Sequence, residues 1–344
     1  MSYTTINKST DHFNTKLYTG NGSTQSITGV GFAGDFFWIK ERSVSGNHQI
    51  LDRVRSSFGK NLITNSDGAE GDVTNYITSV NSDGFDLGAN NGINQSGVTN
   101  VAWSWKANGT GSSNTDGSIT STVSVNTTAG FSIVKYAGSN SNITVGHGLG
   151  VAPKMIIIKN LSSTTSWTVY HESLGNGHRL VLNSAAGQES TNQFSFGTSP
   201  TSSVFALGGG YNDVCANGEN YIAYCFAEKT GYSKFGSYVG NGSSDGSFCY
   251  TGFKPAFVIW KGVSGEAWGM VDNKRDAYNT TTKHLYPNLN NAEASQTAIM
   301  DFVSNGFKIR WNDSNINGSG NSYIYLAFAE APLVGSNNVP CVAR

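Results

Sequence analysis

One phrase occurs three times in this chain, and the spacing of its copies limits what the chain can fold into. Gly252-Phe-Lys-Pro-Ala-Phe-Val-Ile-Trp-Lys261 recurs as Gly148-Leu-Gly-Val-Ala-Pro-Lys-Met-Ile-Ile-Ile-Lys159 and, without the proline, as Gly31-Phe-Ala-Gly-Asp-Phe-Phe-Trp-Ile-Lys40. Three other landmarks keep step with it. Each copy opens on a tyrosine-glycine turn at Tyr18, Tyr136 and Tyr238. Each has a later phenylalanine at Phe85, Phe205 and Phe307. Each closes on an apolar strand beginning at Val101, Ile222 and Ile324, with an aromatic near its end. From the first copy to the second the four offsets are 118, 119, 120 and 121; from the second to the third every offset is 102. Four separate landmarks with one offset mean triplication.

A period of 102 residues is too long for a solenoid, whose repeats run about 20–45 residues. It is the size of a self-contained sandwich of two sheets. Charged residues make up 13% and Gly numbers 42 of 344, yet aromatics reach 12%. A disordered chain lacks aromatics; short strands joined by tight turns have this composition. The expected fold is all-β: three related β-sandwich modules in tandem, jelly-roll or lectin-like. The boundaries read as an N-terminal segment 1–17, modules at 18–107, 136–231 and 232–334, a linker with extra strands at 108–135, and a tail at 335–344. Ala107 to Gly117 reads as a flexible Gly/Ser/Asn linker that sets the first copy apart. Only 290–302 could form a short helix. Phe-Val-Ile-Trp and Met-Ile-Ile-Ile are apolar on both faces, which marks strands covered on both sides.

Net charge is −1 with no basic block, so no nucleic-acid partner is expected. No apolar span approaches the ~20 residues of a membrane helix, and no signal peptide is evident at Met1. The cysteines Cys215, Cys225, Cys249 and Cys341 form no C-x-x-C pair, and Cys225 reads as a buried thiol. Lys40, Lys159 and Lys261 read as strand-end lysines with the ammonium in water. Asp67-Gly68, Asp83-Gly84, Asp245-Gly246 and Asn305-Gly306 read as hairpin turns that use positive φ, not as calcium loops.

A glycan-cutting enzyme would need two carboxylates across a cleft. Glu172, Asp272 and Asp276 are the only candidates, and Asp272 sits where the other copies carry different chemistry. No catalytic residue, metal ligand or cofactor is therefore expected; the histidines, His147, His171, His178 and His284 among them, are scattered. Trp167, Trp260, Trp268, Tyr278 and Trp311 lie in or beside loops and strand ends. They are the candidate contacts to a sugar or a protein partner, set against the plainer role of packing.

The phrases at 146–159, 221–238, 272–276 and 302–310 are similar to a family of marine bacteriophage virion proteins, found in cyanophages and pelagiphages and labelled tail fibre or structural. The resemblance covers essentially the whole chain. It implies a non-enzymatic virion protein, made in the host cytoplasm and exposed on the particle. The expected role is a tail fibre or related appendage adhesin. A capsid-exterior decoration or tail adaptor protein is the alternative, and a glycan depolymerase spike the third reading. Expected partners are other virion proteins, copies of itself as a homotrimer, and a host surface glycan or protein. One chain end, within Met1 to Lys16 or Gly335 to Arg344, is expected to dock to the virion. The first copy would anchor and the last two face outward.

Overall fold

Apolar runs of about 4–8 residues bounded by Gly, Asn and Ser become strands because only a sheet buries so short a run on both faces. The structure is a computed structural model that describes residues 4–193, 198–276 and 278–331. The first module holds Phe13–Thr19 (β1), Gln25–Thr28 (β2), Phe36–Glu41 (β3), Gln49–Asp52 (β4), Lys60–Ile63 (β5), Gly71–Asp72 (β6), Ile77–Asn81 (β7), Gly84–Leu87 (β8) and Thr99–Trp105 (β9). Ser112–Asn114 (β10) and Ser121–Asn126 (β11) follow. The second module has Phe131–Ala137 (β12), Ile143–Gly146 (β13), Met155–Asn160 (β14), Thr168–His171 (β15), His178–Val181 (β16), Glu189–Ser190 (β17), Val204–Leu207 (β18) and Asn220–Phe226 (β19). The third has Ser233–Val239 (β20), Phe248–Tyr250 (β21), Lys254–Gly262 (β22), Gly269–Asp272 (β23), Thr281–His284 (β24), Ala294–Val303 (β25), Gly306–Ile309 (β26) and Ser322–Ala331 (β27). The chain is nearly all β, as its composition predicts.

One strand order recurs in one sheet of each module. It is β1-β9-β3-β4, then β12-β19-β14-β15, then β20-β27-β22-β23. The sheets facing them, smaller in the first two modules and of equal size in the third, are β2-β8-β7, β13-β18 and β21-β26-β25-β24. The register recurs too. Phe36 sits between Trp105 and Asp52, Met155 between Phe226 and His171, and Phe257 between Phe328 and Asp272.

The central strands are apolar on both faces because each face has its own core. In β3, Phe37 and Ile39 join Phe85 and Leu87 inside the first module. In β14, Ile156 and Ile158 join Phe205 and Leu207; in β22, Val258 and Trp260 join Phe307 and Ile309. The alternate residues Phe36, Trp38, Met155, Ile157, Phe257 and Ile259 all enter one further core, shared by the three modules. At its heart Trp105, Phe226 and Phe328 form a triangle. Their rings lie 6.4 Å (Trp105–Phe226), 5.7 Å (Trp105–Phe328) and 6.2 Å (Phe226–Phe328) apart. The modules are therefore not beads on a string. They back onto a common centre.

The opening tyrosines have a structural duty. Tyr18, Tyr136 and Tyr238 donate their hydroxyls to the carbonyls of Ile93, Val214 and Ile316 at 2.6, 2.8 and 2.8 Å. Ile93 and Ile316 lie on single-turn helices, Asn91–Asn94 (α1) and Ser314–Asn317 (α2), with Asn90 and Asp313 accepting from backbone N–H groups as N-caps. The buried amides of Asn94 and Asn317 then tie down the tyrosine-glycine loop, accepting from Asn21 N–H and Asn241 N–H at 3.1 and 3.0 Å.

Several expectations change. Residues 290–302 form no helix: β25 occupies Ala294–Val303, because its residues pair with β24 and β26. Phe131–Ala137 is the first strand of the second module and Phe13–Thr19 that of the first, so both modules begin earlier than their tyrosines. Residues 4–16 are thus not outside the modules: Ile6 and Phe13 are in the shared core, and residues 1–3 lie outside the described residues. Residues 335–344, and Cys341 with them, lie outside the described residues. The Gly/Ser/Asn stretch after Lys106 is not a free linker. The Asp35 carboxylate accepts from Ala107 and Gly109 N–H at 2.7 and 3.1 Å, and β10 pairs with β11.

Asp83-Gly84 and Asn305-Gly306 do close hairpins, β7–β8 and β25–β26, as expected, but without the expected backbone conformation. Gly68, Gly84, Gly246 and Gly306 do not have positive φ. A Cβ on Gly84 would sit 1.9 Å from the Ile27 carbonyl oxygen, and one on Gly306 2.1 Å from that of Cys249. These glycines let the strand backbones approach. Gly84→Ala and Gly306→Ala are each expected to cost about 1–3 kcal/mol through forced strand separation. Denaturation midpoints check this; two unchanged midpoints would contradict it.

Candidate functional site

The junctions between modules hold most of the buried polar chemistry. At the end of β4, Asp52 accepts from Arg55 Nε at 2.6 Å and from the hydroxyl of Tyr224, in the second module, at 2.8 Å. At the end of β23, Asp272 accepts from Arg275 Nε at 2.6 Å and from the indole N–H of Trp103, in the first module, at 3.1 Å. The second module places His171 at this position. Its Nε2 lies 3.2 Å from the Tyr325 carbonyl of the third module. Each module thus bonds to the last strand of another, and the three bonds close a ring. Contrary to the expectation of different chemistry in every copy, the first copy carries the same pair as the third, Asp52/Arg55 and Asp272/Arg275, and only the second differs; the shared Asp-x-x-Arg spacing was the sequence signal for it.

The recurring lysines belong to the same junctions. Lys40, Lys159 and Lys261 are fully buried, not snorkelling into water. Lys40 donates to the Glu41 carbonyl, and Lys159 to the Asn160 carbonyl at 2.9 Å. Lys261 donates to the carbonyls of Gly265 and Glu266 and, across a module boundary, to that of Ala185 at 3.0 Å. Carbonyls satisfy the ammonium's hydrogen bonds but give it no counter-ion. Burial therefore pulls each lysine down to about 8.

These groups set a pH profile. Burial holds His171 and His284 at about 4, against about 6.5 in an unfolded chain. Between those values the unfolded chain binds more protons, so the histidines' contribution to stability is complete above about pH 6.5 and is lost towards pH 4. The loss is about 1.4 kcal/mol per pH unit per histidine. For the lysines the unfolded chain binds more protons between about pH 8 and its own value near 10.4. The lysines alone would make stability rise from pH 8 towards 10, but burial raises the thiols of Cys215, Cys225 and Cys249, which the unfolded chain deprotonates above about pH 8.5, so the two sets offset each other and stability stays nearly level over this range. Above about pH 10 the unfolded chain loses its tyrosine protons, whereas burial keeps Tyr18, Tyr136, Tyr224 and Tyr238 neutral, and stability falls. Urea unfolding from pH 4.5 to 11 checks the shape; stability that falls steadily from pH 7 to 10 would contradict it.

The carboxylates considered for catalysis are occupied separately. Asp272 is buried in the junction, not on a solvated strand end. Glu172 pairs with Lys154. Asp276 accepts from the N–H groups of Thr282 and Lys283, both at 2.7 Å. No cluster of three or more metal-ligating side chains occurs among the described residues. Cys225 is the buried thiol expected of it, and Cys215 and Cys249 are buried as well.

Three of the aromatic contact candidates are not at the surface. Trp167, Trp260 and Trp268 are each 1% exposed. Trp167 donates its indole N–H to the carbonyls of Ile63 and Ser66 in the first module, at 3.0 and 3.1 Å. Trp268 donates to that of Val181 in the second, at 2.9 Å. Trp260 donates to the Asn315 carbonyl within its own module. A loop end read from one module alone looks free, but here another module stands against it. Trp311 is partly buried, its ring 5.4 Å from His284. Tyr278 alone is open to solvent, 88% exposed.

Tyr278 has company that the sequence reading missed. Val239, Phe248 and Tyr250 of the third module are 57%, 48% and 61% exposed. The cause is the edge strand β21. Its middle residue Cys249 enters the module core, so Phe248 and Tyr250 must face out. The matching edge of the first module, β2, turns out Ser26 and Thr28 instead. In the second module, β13 is covered by the chain after β10, where Ile119 bridges Val145. Phe248 stands opposite Lys308, and beside it Lys308 pairs with Asp245 at 2.8 Å and Arg310 with Asp301 at 2.6 Å. Phe248 and Tyr250 thus form an aromatic edge bordered by ion pairs, whereas Tyr278 precedes β24 at the opposite edge of the same sheet and Val239 ends β20 in the other sheet.

Fold and surface together define a class: an all-β protein of three two-sheet modules around one core, with three of the four exposed large aromatics among the described residues, Phe248, Tyr250 and Tyr278, on the third and Tyr211 on the second. A family model described as Domain of unknown function (DUF7483) matches residues 8–332, and the chain belongs to that family. No curated protein and no solved structure matches it. No helix among the described residues is long and apolar enough to cross a membrane.

Proposed function

We propose that this chain is a non-enzymatic structural protein of a phage particle, a tail fibre or related appendage adhesin whose third module meets the host surface. The phage assignment rests on the resemblance of the phrases at 146–159, 221–238, 272–276 and 302–310. The observation that carries the contact role is the concentration of exposed aromatics, Phe248, Tyr250 and Tyr278, on one module. Such side chains stack on sugar rings and anchor protein interfaces. The polar groups buried at the junctions are engaged in holding modules together, which supports a non-enzymatic reading. The same surface would serve a capsid-exterior decoration or tail adaptor protein that binds other virion proteins. A homotrimer is one route to the threefold symmetry of a fibre; a single chain with three modules about one centre is another.

Three measurements test this. Mass spectrometry of purified particles should find the protein, and imaging of labelled particles should place it on the tail. Phe248→Ser with Tyr250→Ser should weaken adsorption to host cells at least tenfold with stability held within about 0.5 kcal/mol. Absence from virions would end the phage reading. Presence with unchanged adsorption would end the adhesin reading and favour the adaptor.

A further inference from the structure

We propose that the free edge of β1 is a docking edge for an extended, acidic segment of another protein, which adds to it as an antiparallel strand. The inference goes beyond the virion reading and does not depend on it.

The chain itself shows that this edge accepts a strand. In the second module, Ala227 N–H donates to the Gly130 carbonyl at 2.7 Å and Gly138 N–H to that of Glu219 at 2.9 Å. Even-numbered residues of β12 therefore bond to β19, and the odd ones face away. β11 takes that outward side, pairing Val123 with Val134 and Ser124 with Ile133. The first module repeats the geometry without the added strand. Lys106 N–H donates to the His12 carbonyl at 2.9 Å and Gly20 N–H to that of Val98 at 2.8 Å. Phe13, Thr15, Leu17 and Thr19 thus turn their backbone groups outward. Thr15 N–H is capped by the Asn14 side chain at 2.9 Å. Those of Phe13 and Leu17 have no partner among the described residues.

A groove of about 510 Å³ runs along this edge, bordered by Lys8, Lys16, Lys274 and Asp83. Lys8 pairs with Asp11 at 2.8 Å, and Asp83 accepts from Gly29 and Gly31 N–H at 3.0 and 3.1 Å. Lys16 and Lys274 have no carboxylate partner among the described residues. Their charges oppose pairing of β1 with a second copy of itself, since lysines on an edge strand repel their own kind. They favour an occupant with carboxylates. Register assigns one of them. Lys16 opposes Ala102 as Val134 opposes Ala223, so the residue that stands where Val123 stands on β11 should be acidic. Backbone bonds would supply affinity and these charges selectivity.

The probe is a synthetic peptide of residues 119–127 of this chain carrying Val123→Glu, added to the intact protein. NMR should show amide shifts at Phe13 and Leu17, and titration should show saturable binding. Leu17→Pro removes an outward N–H yet leaves the bonds to β9, a position where proline is tolerated; it should weaken binding at least tenfold. Lys16→Glu should weaken it at least fivefold, and Lys274→Glu in the same direction, so the test stands even if the proline variant unfolds. No binding, shifts confined to other strands, or binding indifferent to all three variants would overturn the proposal. So would a self-associating chain that Leu17→Pro renders monomeric, or displacement of the probe by a peptide of residues 332–344. The first of these would assign the edge to a second copy and the second to the chain's own end.

Discussion

Asp52→Ala is expected to lower the stability of the whole chain by about 3–5 kcal/mol, the usual cost of stranding one member of a buried ion pair. Asp52 is fully buried and Arg55 only 1% exposed. The carboxylate accepts from Arg55 N–H at 2.8 Å, from Arg55 Nε at 2.6 Å and from the Tyr224 hydroxyl at 2.8 Å. Alanine would leave a buried guanidinium with the Ile50 carbonyl and the distant Glu70 carboxylate, 3.1 and 3.5 Å away. It would also cut a bond between modules. Removing the charge as well, in Asp52→Ala with Arg55→Met, should recover part of the loss, because an apolar replacement carries no unmet charge. Denaturant titration of the two variants checks this. A loss below about 1 kcal/mol for Asp52→Ala, against the cost cited above, would mean that solvent reaches the site.

Phe328→Ala is expected to cost a comparable amount, about 3–5 kcal/mol, with a consequence that reaches further. The Phe328 ring touches Phe13 and Trp105 of the first module at 5.0 and 5.7 Å, Phe226 of the second at 6.2 Å, and Phe235 of its own at 6.4 Å. A cavity here weakens all three modules together. Hydrogen exchange in the variant should quicken in β9, β19 and β27 alike. Quickening confined to β27 would show that the third module stands alone.

The triplication and the all-β class were legible because identical offsets and apolar runs are properties of the chain itself. The doubly apolar central strands said as much as a sequence can: something covers both faces. What covered the second face was not legible. Trp105, Phe226 and Phe328 are far apart in sequence, and nothing local says that three strand ends converge. The same gap misplaced Lys40, Lys159 and Lys261 in water and left both packing and outward contact open for Trp167 and Trp268. Each looks exposed within one module and is buried by another. Gly84 and Gly306 were read as positive-φ turn glycines because Asp-Gly and Asn-Gly usually are, whereas the constraint comes from a neighbouring backbone. Of the exposed aromatics on the third module only Tyr278 was foreseen. Phe248 and Tyr250 lie on a three-residue strand, too short for its alternation to stand out, and the signal for them was the contrast with Ser26 and Thr28 in the first copy.

The central claim is that three modules share one core and so form one cooperative body. Native-state hydrogen exchange of the intact chain tests it most directly, at the amides of β9, β19 and β27 that pair with β3, β14 and β22. The slowest amides of all three strands should exchange with a single opening free energy, equal to that of global unfolding. Three distinct opening free energies, one for each module, would contradict it.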